Sequence, residues 1–371
     1  MKVERETAGV ALPFTAGILL AALTGYSHTH SITYIGILVS FSLSLILLMH
    51  PGRRRFGTGW QWLLIGIAAL STGMICGHIS SQIELSDPGI SHGLRRRAEE
   101  WGLKMQNAID RLPFSDRTCN AVAKALITGE RSDIPKEIVL AFRESGASHI
   151  LALSGLHLGI IYAIITFSLS IFGNHHRLRI PRFITIVLLC GSYTLATGAG
   201  PSIVRAFLFI GLAETGRLMH RHFSTAQIFF SALIIQLALS PASIRSAGFQ
   251  LSYAAMAGIA FIQPRLRSLW PGRIHDDRLF TRCVRKIWNA SAMSISCQIT
   301  TAPLVFFYFG TMPEYFLLTN LITLPLTGIL IPVTLATLVL DCIGLCPAVA
   351  IRTAETLIQT LIWALKVIAG M

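Results

Sequence analysis

The chain has 371 residues, 53% of them hydrophobic and only 13% charged. A soluble domain of this length carries about twice that charge fraction, so the composition excludes one and points to an integral membrane protein. The formal net charge of +13 reads first as topology, because basic loops stay on the cytoplasmic side.

Residues 1–80 begin with mixed charge and a Pro-interrupted apolar run, which is not the pattern of a cleaved leader. Windows free of Asp, Glu, Lys and Arg cover 7–52 and 56–83. The first is too long for one crossing and divides at Gly25-Tyr26-Ser27-His28-Thr29-His30, so three spans are expected here. Residues 80–146 are the one sizeable polar stretch, with ten basic and ten acidic residues. Within it Leu94, Ala98, Trp101, Met105, Ala108 and Leu112 recur at helical spacing. That pattern predicts an amphipathic helix, lying on the membrane surface or docked on the rest of the chain. Ser132-Asp133-Ile134-Pro135 opens another short helix.

Residues 147–371 form the main bundle, with charge-free windows at 145–176, 183–204, 223–244, 246–264, 287–313 and 315–340. A further crossing fits 203–219 despite Arg205 and Glu214. The expected fold is an all-α polytopic helical bundle with about nine or ten transmembrane helices, plus amphipathic interfacial helices. The segment 347–370 is the tenth span or an interfacial helix; Arg352, Glu355, Gln359 and Lys366 share one of its faces. Pro325 and Pro332 fall within one apolar run and imply a kinked or broken helix. The basic excess sits at Arg53-Arg54-Arg55, at Arg177, Arg179 and Arg182, at Arg217 and Arg221, and in 264–287. Counting spans puts all four loops on one side. The amino terminus is then cytoplasmic and 80–146 lies outside.

The polar residues at bilayer depth are the candidate site. Ser154 and His157 lie in the charge-free run 145–176 and share a helical face; they serve a passing substrate or lock a neighbouring helix. Gly155 and Gly159 form a small-xxx-small pair suited to close helix packing. Arg205 follows Gly200-Pro201-Ser202, near the start of its helix. There it makes a positive locus or reaches to the interface. Glu214 is on the opposite face from Arg205 and is expected to pair with Arg217. Gln250 and Tyr253 share a face, and Gln236, Gln298 and Asn320 add amides on other spans. Together they suggest a polar interior. There is no HExxH, Walker or CxxC spacing, and Ser154 has no obvious triad partners. No metal, cofactor or enzymatic chemistry is therefore expected.

His149-Ile-Leu-Ala-Leu-Ser154-Gly155-Leu-His157-Leu-Gly159 resembles the most distinctive motif of the ComEC competence family. Three further strings resemble it in the same order: Gly200-Pro-Ser202-Ile-Val-Arg205-Ala206; Ser240-Pro241 with Gly248-Phe-Gln250-Leu-Ser252-Tyr253; and Ala302-Pro303 through Asn320 to Pro325. The resemblance covers roughly 115–345. It implies an inner-membrane channel carrying single-stranded DNA into the cytoplasm during natural transformation. Ser154, His157, Arg205, Gln250 and Tyr253 would line or support the conduit. The resemblance also implies membrane lipid, a possible homodimer, and DNA-uptake machinery as partners. Residues 80–146 stand where family members carry an OB-type domain, and no HxHxDH string of a metallo-β-lactamase-like domain is present. A separate nuclease is therefore expected. The alternatives are a permease for a small or anionic solute, a non-transporting membrane scaffold and, least supported, a membrane-embedded enzyme.

Overall fold

The computed structural model describes residues 2–24, 58–84, 89–171, 173, 178–270, 279–310 and 312–370. The break at 25–30, the second span, the Arg53–Arg55 loop, His175-His176 and Asp276-Asp277 lie outside these residues. Every regular element among them is helical, as the composition predicts.

In chain order the α-helices are α1 (Lys2–Thr24), α2 (Thr58–Glu84), α3 (Gly89–Asp110), α4 (Arg117–Thr128), α5 (Lys136–Glu144) and the single turn α6 (Ser148–Leu151). They continue as α7 (Gly155–Ser170), α8 (Arg179–Ala196), α9 (Pro201–Leu218), α10 (Thr225–Leu239), α11 (Ala247–Ala257) and α12 (Gln263–Ser268). The last three are α13 (Leu279–Phe309), α14 (Phe316–Cys342) and α15 (Ala348–Ala369). Four segments are long and apolar enough to cross a membrane: α8, Phe280–Phe309, α14 and α15. Trp62–Gly77, α7 and α10 are shorter apolar helices. These helices and their composition make this a membrane protein.

Contacts divide the chain into two units, residues 1–92 with 211–250 and residues 93–210 with 251–371. In the first unit α1 and α2 cross with their backbones nearly touching. A Cβ on Gly17 would lie 2.1 Å from the Leu70 carbonyl oxygen, and one on Gly73 2.1 Å from that of Phe14. Ala11, Phe14, Ile18, Ala21 and Ala69 are buried around this crossing. Small residues permit such an approach where lipid gives no hydrophobic drive between helices. Glu214 accepts from Arg217 at 2.6 Å, the pairing its spacing predicts.

In the second unit, Ile109 through Leu151 supply most of one core, completed by Leu330 of α14 and Ile358, Leu361 and Leu365 of α15. Asp116 caps α4 by accepting the Thr118 N–H, and Gly129 closes it at φ 83°. Lys124 of α4 is 7% exposed and holds both Asp110 (2.6 Å) and Asp133 (2.7 Å). Burial alone would lower its pKa, but the two carboxylates raise it. Lys124 in turn holds Asp133 below the usual carboxylate range. Burial pushes the Cys119 thiol up to about 12, with Asp116 and Glu355 adding to it, which makes it an inert core group.

Two residues of the polar stripe of α15 pair within the second unit. Glu355 accepts the Ser115 hydroxyl (3.3 Å) and the Asp116 N–H (3.0 Å), and Lys366 pairs with Glu137. On α3 Met105, with Leu112 just beyond the helix, packs on the core as the expected face has it, but Trp101 does not. Gly102 and Ile109 are buried, whereas Trp101 is 50% exposed. The cause is at Gly102, where a Cβ would come within 2.6 Å of the Ala196 carbonyl oxygen, so only glycine lets α3 seat against the end of α8.

Candidate functional site

The site begins with a helix start. The charge-free run 145–176 is not one helix: α6 ends at Leu151 and α7 begins at Gly155. Ser154 has extended backbone and caps α7, accepting the Leu156 N–H at 3.2 Å. His157 completes a capping box, its Nδ1 accepting the Ser154 N–H at 3.2 Å and lying 3.1 Å from Ser154 Oγ. Ser154 and His157 are thus brought together as expected, but at the end of a helix rather than along its side.

This hydrogen bonding assigns the tautomer. Nδ1 accepts a backbone N–H, so the ring proton sits on Nε2. His157 is 1% exposed, and Nε2 is buried with no hydrogen-bond partner among the described residues. A buried donor left this way is costly, by about 1–3 kcal/mol.

Arg205 arrives at the same helix end from α9. A tight turn precedes α9, with Gly198 at φ 82° and Ala199 at φ 48°. The Gly198 N–H donates to the Leu195 carbonyl (3.0 Å) and that of Ala199 to the Thr194 carbonyl (2.9 Å), which closes α8 before Pro201 starts α9. Arg205 is the fifth residue of α9 and is 7% exposed. It stays inside the unit rather than reaching to an interface. Its Nη2 is 3.4 Å from where a Cβ on Gly155 would sit, and Nη1 has no hydrogen-bond partner among the described residues. The guanidinium carbon is 5.9 Å from the centre of the Tyr253 ring.

The energetics do not balance among the described residues. Withdrawing a cation from water costs several kcal/mol. A cation–π contact at the edge of its range offsets about 1–2 kcal/mol at most. The start of α7 adds the positive end of a helix dipole, which disfavours a cation. A guanidinium so placed is electrostatically ready for an anion.

The surrounding helices are polar inside. Cys297 Sγ of α13 donates to the Ala255 carbonyl at 3.8 Å, joining α13 to the helix that carries Tyr253. Ser294 and Ser296 on α13 are buried, and Gln298 Nε2 and Asn320 Oδ1 are buried without partners among the described residues. A short π-helix, Gly258–Ile262, follows α11. Pro264 supplies no N–H to the ladder there. Gly258 packs so tightly on α13 that a Cβ would be 2.4 Å from the Ser296 carbonyl oxygen.

The sequence reading passed over the threonines of α14. Thr319, Thr323, Thr327, Thr334 and Thr337 are each 0–2% exposed. Thr319 donates to the Ser145 carbonyl at 2.6 Å, and the other four bond carbonyls four residues back in their own helix. Their spacing of three, four and seven was the available signal. Pro325 and Pro332 do not break α14, which is continuous from Phe316 to Cys342.

The remaining candidates lie elsewhere. Gln250 belongs to the first unit, and its Nε2 donates to the Ile244 carbonyl at 2.8 Å. Gly155 meets Arg205 and Ala206, both 3.4 Å from its Cβ position, whereas a Cβ on Gly159 meets nothing within 4 Å among the described residues.

Comparison with known proteins bears on this same region. A family model described as Competence protein matches residues 126–371. ComE operon protein 3 of Bacillus subtilis (strain 168) is 26% identical over 214 residues, 57% of this chain and 24% of that protein. The uncharacterized protein YcaI of Escherichia coli (strain K12) is 31% identical over 147 residues, 38% of this chain and 19% of that protein. The chain therefore spans about a quarter or less of the curated relatives it matches. No solved structure matches. The family match takes in α7, α9, α11, α13 and α14, every helix that builds the buried polar site, and on it the chain belongs to the Competence protein family.

Proposed function

We propose that the chain is a conduit for single-stranded DNA in the cytoplasmic membrane during natural transformation, with its amino terminus in the cytoplasm. It moves the strand without chemistry of its own, and a separate nuclease supplies the strand it carries. Family membership and the similarity to ComE operon protein 3 support a role in competence. The observation that carries the reading is the buried Arg205, with a nitrogen unpartnered among the described residues, at the helix end where His157 also has a donor unpartnered among them. Such donors favour a polyanion, and the buried hydroxyls and amides around them suit bases sliding past. Basic loops on one side support this orientation.

A transformation assay with Arg205→Ala and His157→Ala tests it. Both variants, at wild-type abundance in the membrane, lower DNA uptake; wild-type uptake in both rejects the assignment. The buried Arg205 cation also fits a permease for a small anion. That reading predicts solute uptake in proteoliposomes that DNA does not inhibit.

A further inference from the structure

We propose that the amino-terminal end of α7 is a binding site for one oxyanion of the phosphodiester class, held between Arg205 Nη1 and the Nε2–H of His157. The site rests on the conduit reading only for the source of the phosphodiester, the passing strand. Three observations meet there. Arg205 is 7% exposed, its Nη1 is buried and unpartnered among the described residues, and its Nη2 lies against Gly155, the first residue of α7. His157, at the third position of the same helix, presents a second buried donor with no partner among the described residues. Both sit at the positive end of a helix of 16 residues, where fixed dipoles favour negative charge.

The capping box leaves these donors for a ligand. Nδ1 of His157 is held by Ser154, which fixes the ring and commits Nε2 to donation. Tyr253 covers the guanidinium at 5.9 Å without accepting from Nη1. A monoanionic diester suits two such donors, because it brings two non-bridging oxygens. A phospholipid headgroup shares that chemistry.

The full-length protein in a maltoside detergent, free of phospholipid, is titrated calorimetrically with dimethyl phosphate. Saturable binding of one equivalent is expected. Arg205→Gln weakens it at least about tenfold, as loss of a charge-assisted contact should. His157→Gln weakens it several-fold while its own amide keeps the capping box. Competition by oligothymidylate assigns the site to the strand, and competition by phosphatidylglycerol alone assigns it to lipid; each outcome supports an oxyanion site. No saturable binding by the wild-type protein, which needs no variant to fold, overturns the proposal, as does unchanged affinity in Arg205→Gln. The two readings fail separately. Binding lost in Arg205→Gln with normal transformation keeps the site and removes the conduit role. Transformation lost without any binding does the reverse.

Discussion

Arg205 lies directly over Gly155, its Nη2 3.4 Å from the place a Cβ would take. That distance is ordinary van der Waals contact, so the pair defines how much volume the site tolerates. Gly155→Ala is expected to retain near wild-type transformation. Gly155→Leu pushes the guanidinium aside and lowers transformation to the level of Arg205→Ala, with membrane abundance unchanged. Transformation frequency normalised to protein level checks both.

The α1–α2 crossing is a second point of no slack. A methyl at Gly17 or Gly73 would stand 2.1 Å from a backbone oxygen, so the helices must separate. Gly17→Ala or Gly73→Ala should destabilise the first unit by about 2–3 kcal/mol or more. Unfolding of the purified variants in detergent measures it; unchanged unfolding of both would refute the crossing.

Ala199 holds a left-handed backbone at φ 48°. An L-residue is disfavoured there by about 1–2 kcal/mol, which glycine avoids in part while adding chain entropy to the unfolded state. Ala199→Gly is expected to raise stability by up to about 1 kcal/mol in the same unfolding measurement.

Much of the bundle is legible from charge-free runs, because excluding Asp, Glu, Lys and Arg from long stretches has one common cause. The pairing of Ser154 with His157 follows from their spacing. Their role as a cap was also written there, as a Ser followed three residues later by a side chain that can accept, but a continuous apolar run masked the helix start. The docking of Glu355 on Ser115 and Asp116 links positions about 240 apart in sequence, beyond any local pattern. The α14 threonines escaped because they neither break an apolar run nor add charge, although they are buried hydroxyls.

The Asp110–Lys124–Asp133 cluster makes stability depend on pH. Asp133 has a depressed pKa in the folded state, so its contribution is present above the unfolded carboxylate value near 4 and is lost as pH falls through the folded value. Lys124 has a raised pKa, so its contribution holds below the unfolded value near 10.4 and is lost as pH rises through the folded one. Lys124→Met should therefore lower the unfolding temperature by a constant amount between about pH 5 and 9, with the gap narrowing below about pH 4. A gap that widens in acid would contradict this.

Internalised, end-labelled single strand, measured against a charge series at position 205 at matched membrane abundance, tests the conduit most directly. Arg205→Lys keeps the cation and should retain at least about a tenth of wild-type uptake, while Arg205→Gln should fall about 100-fold and Arg205→Glu further, as expected when several kcal/mol of attraction for each phosphate are lost or reversed. Equal uptake in all four proteins would mean that the strand never meets this guanidinium.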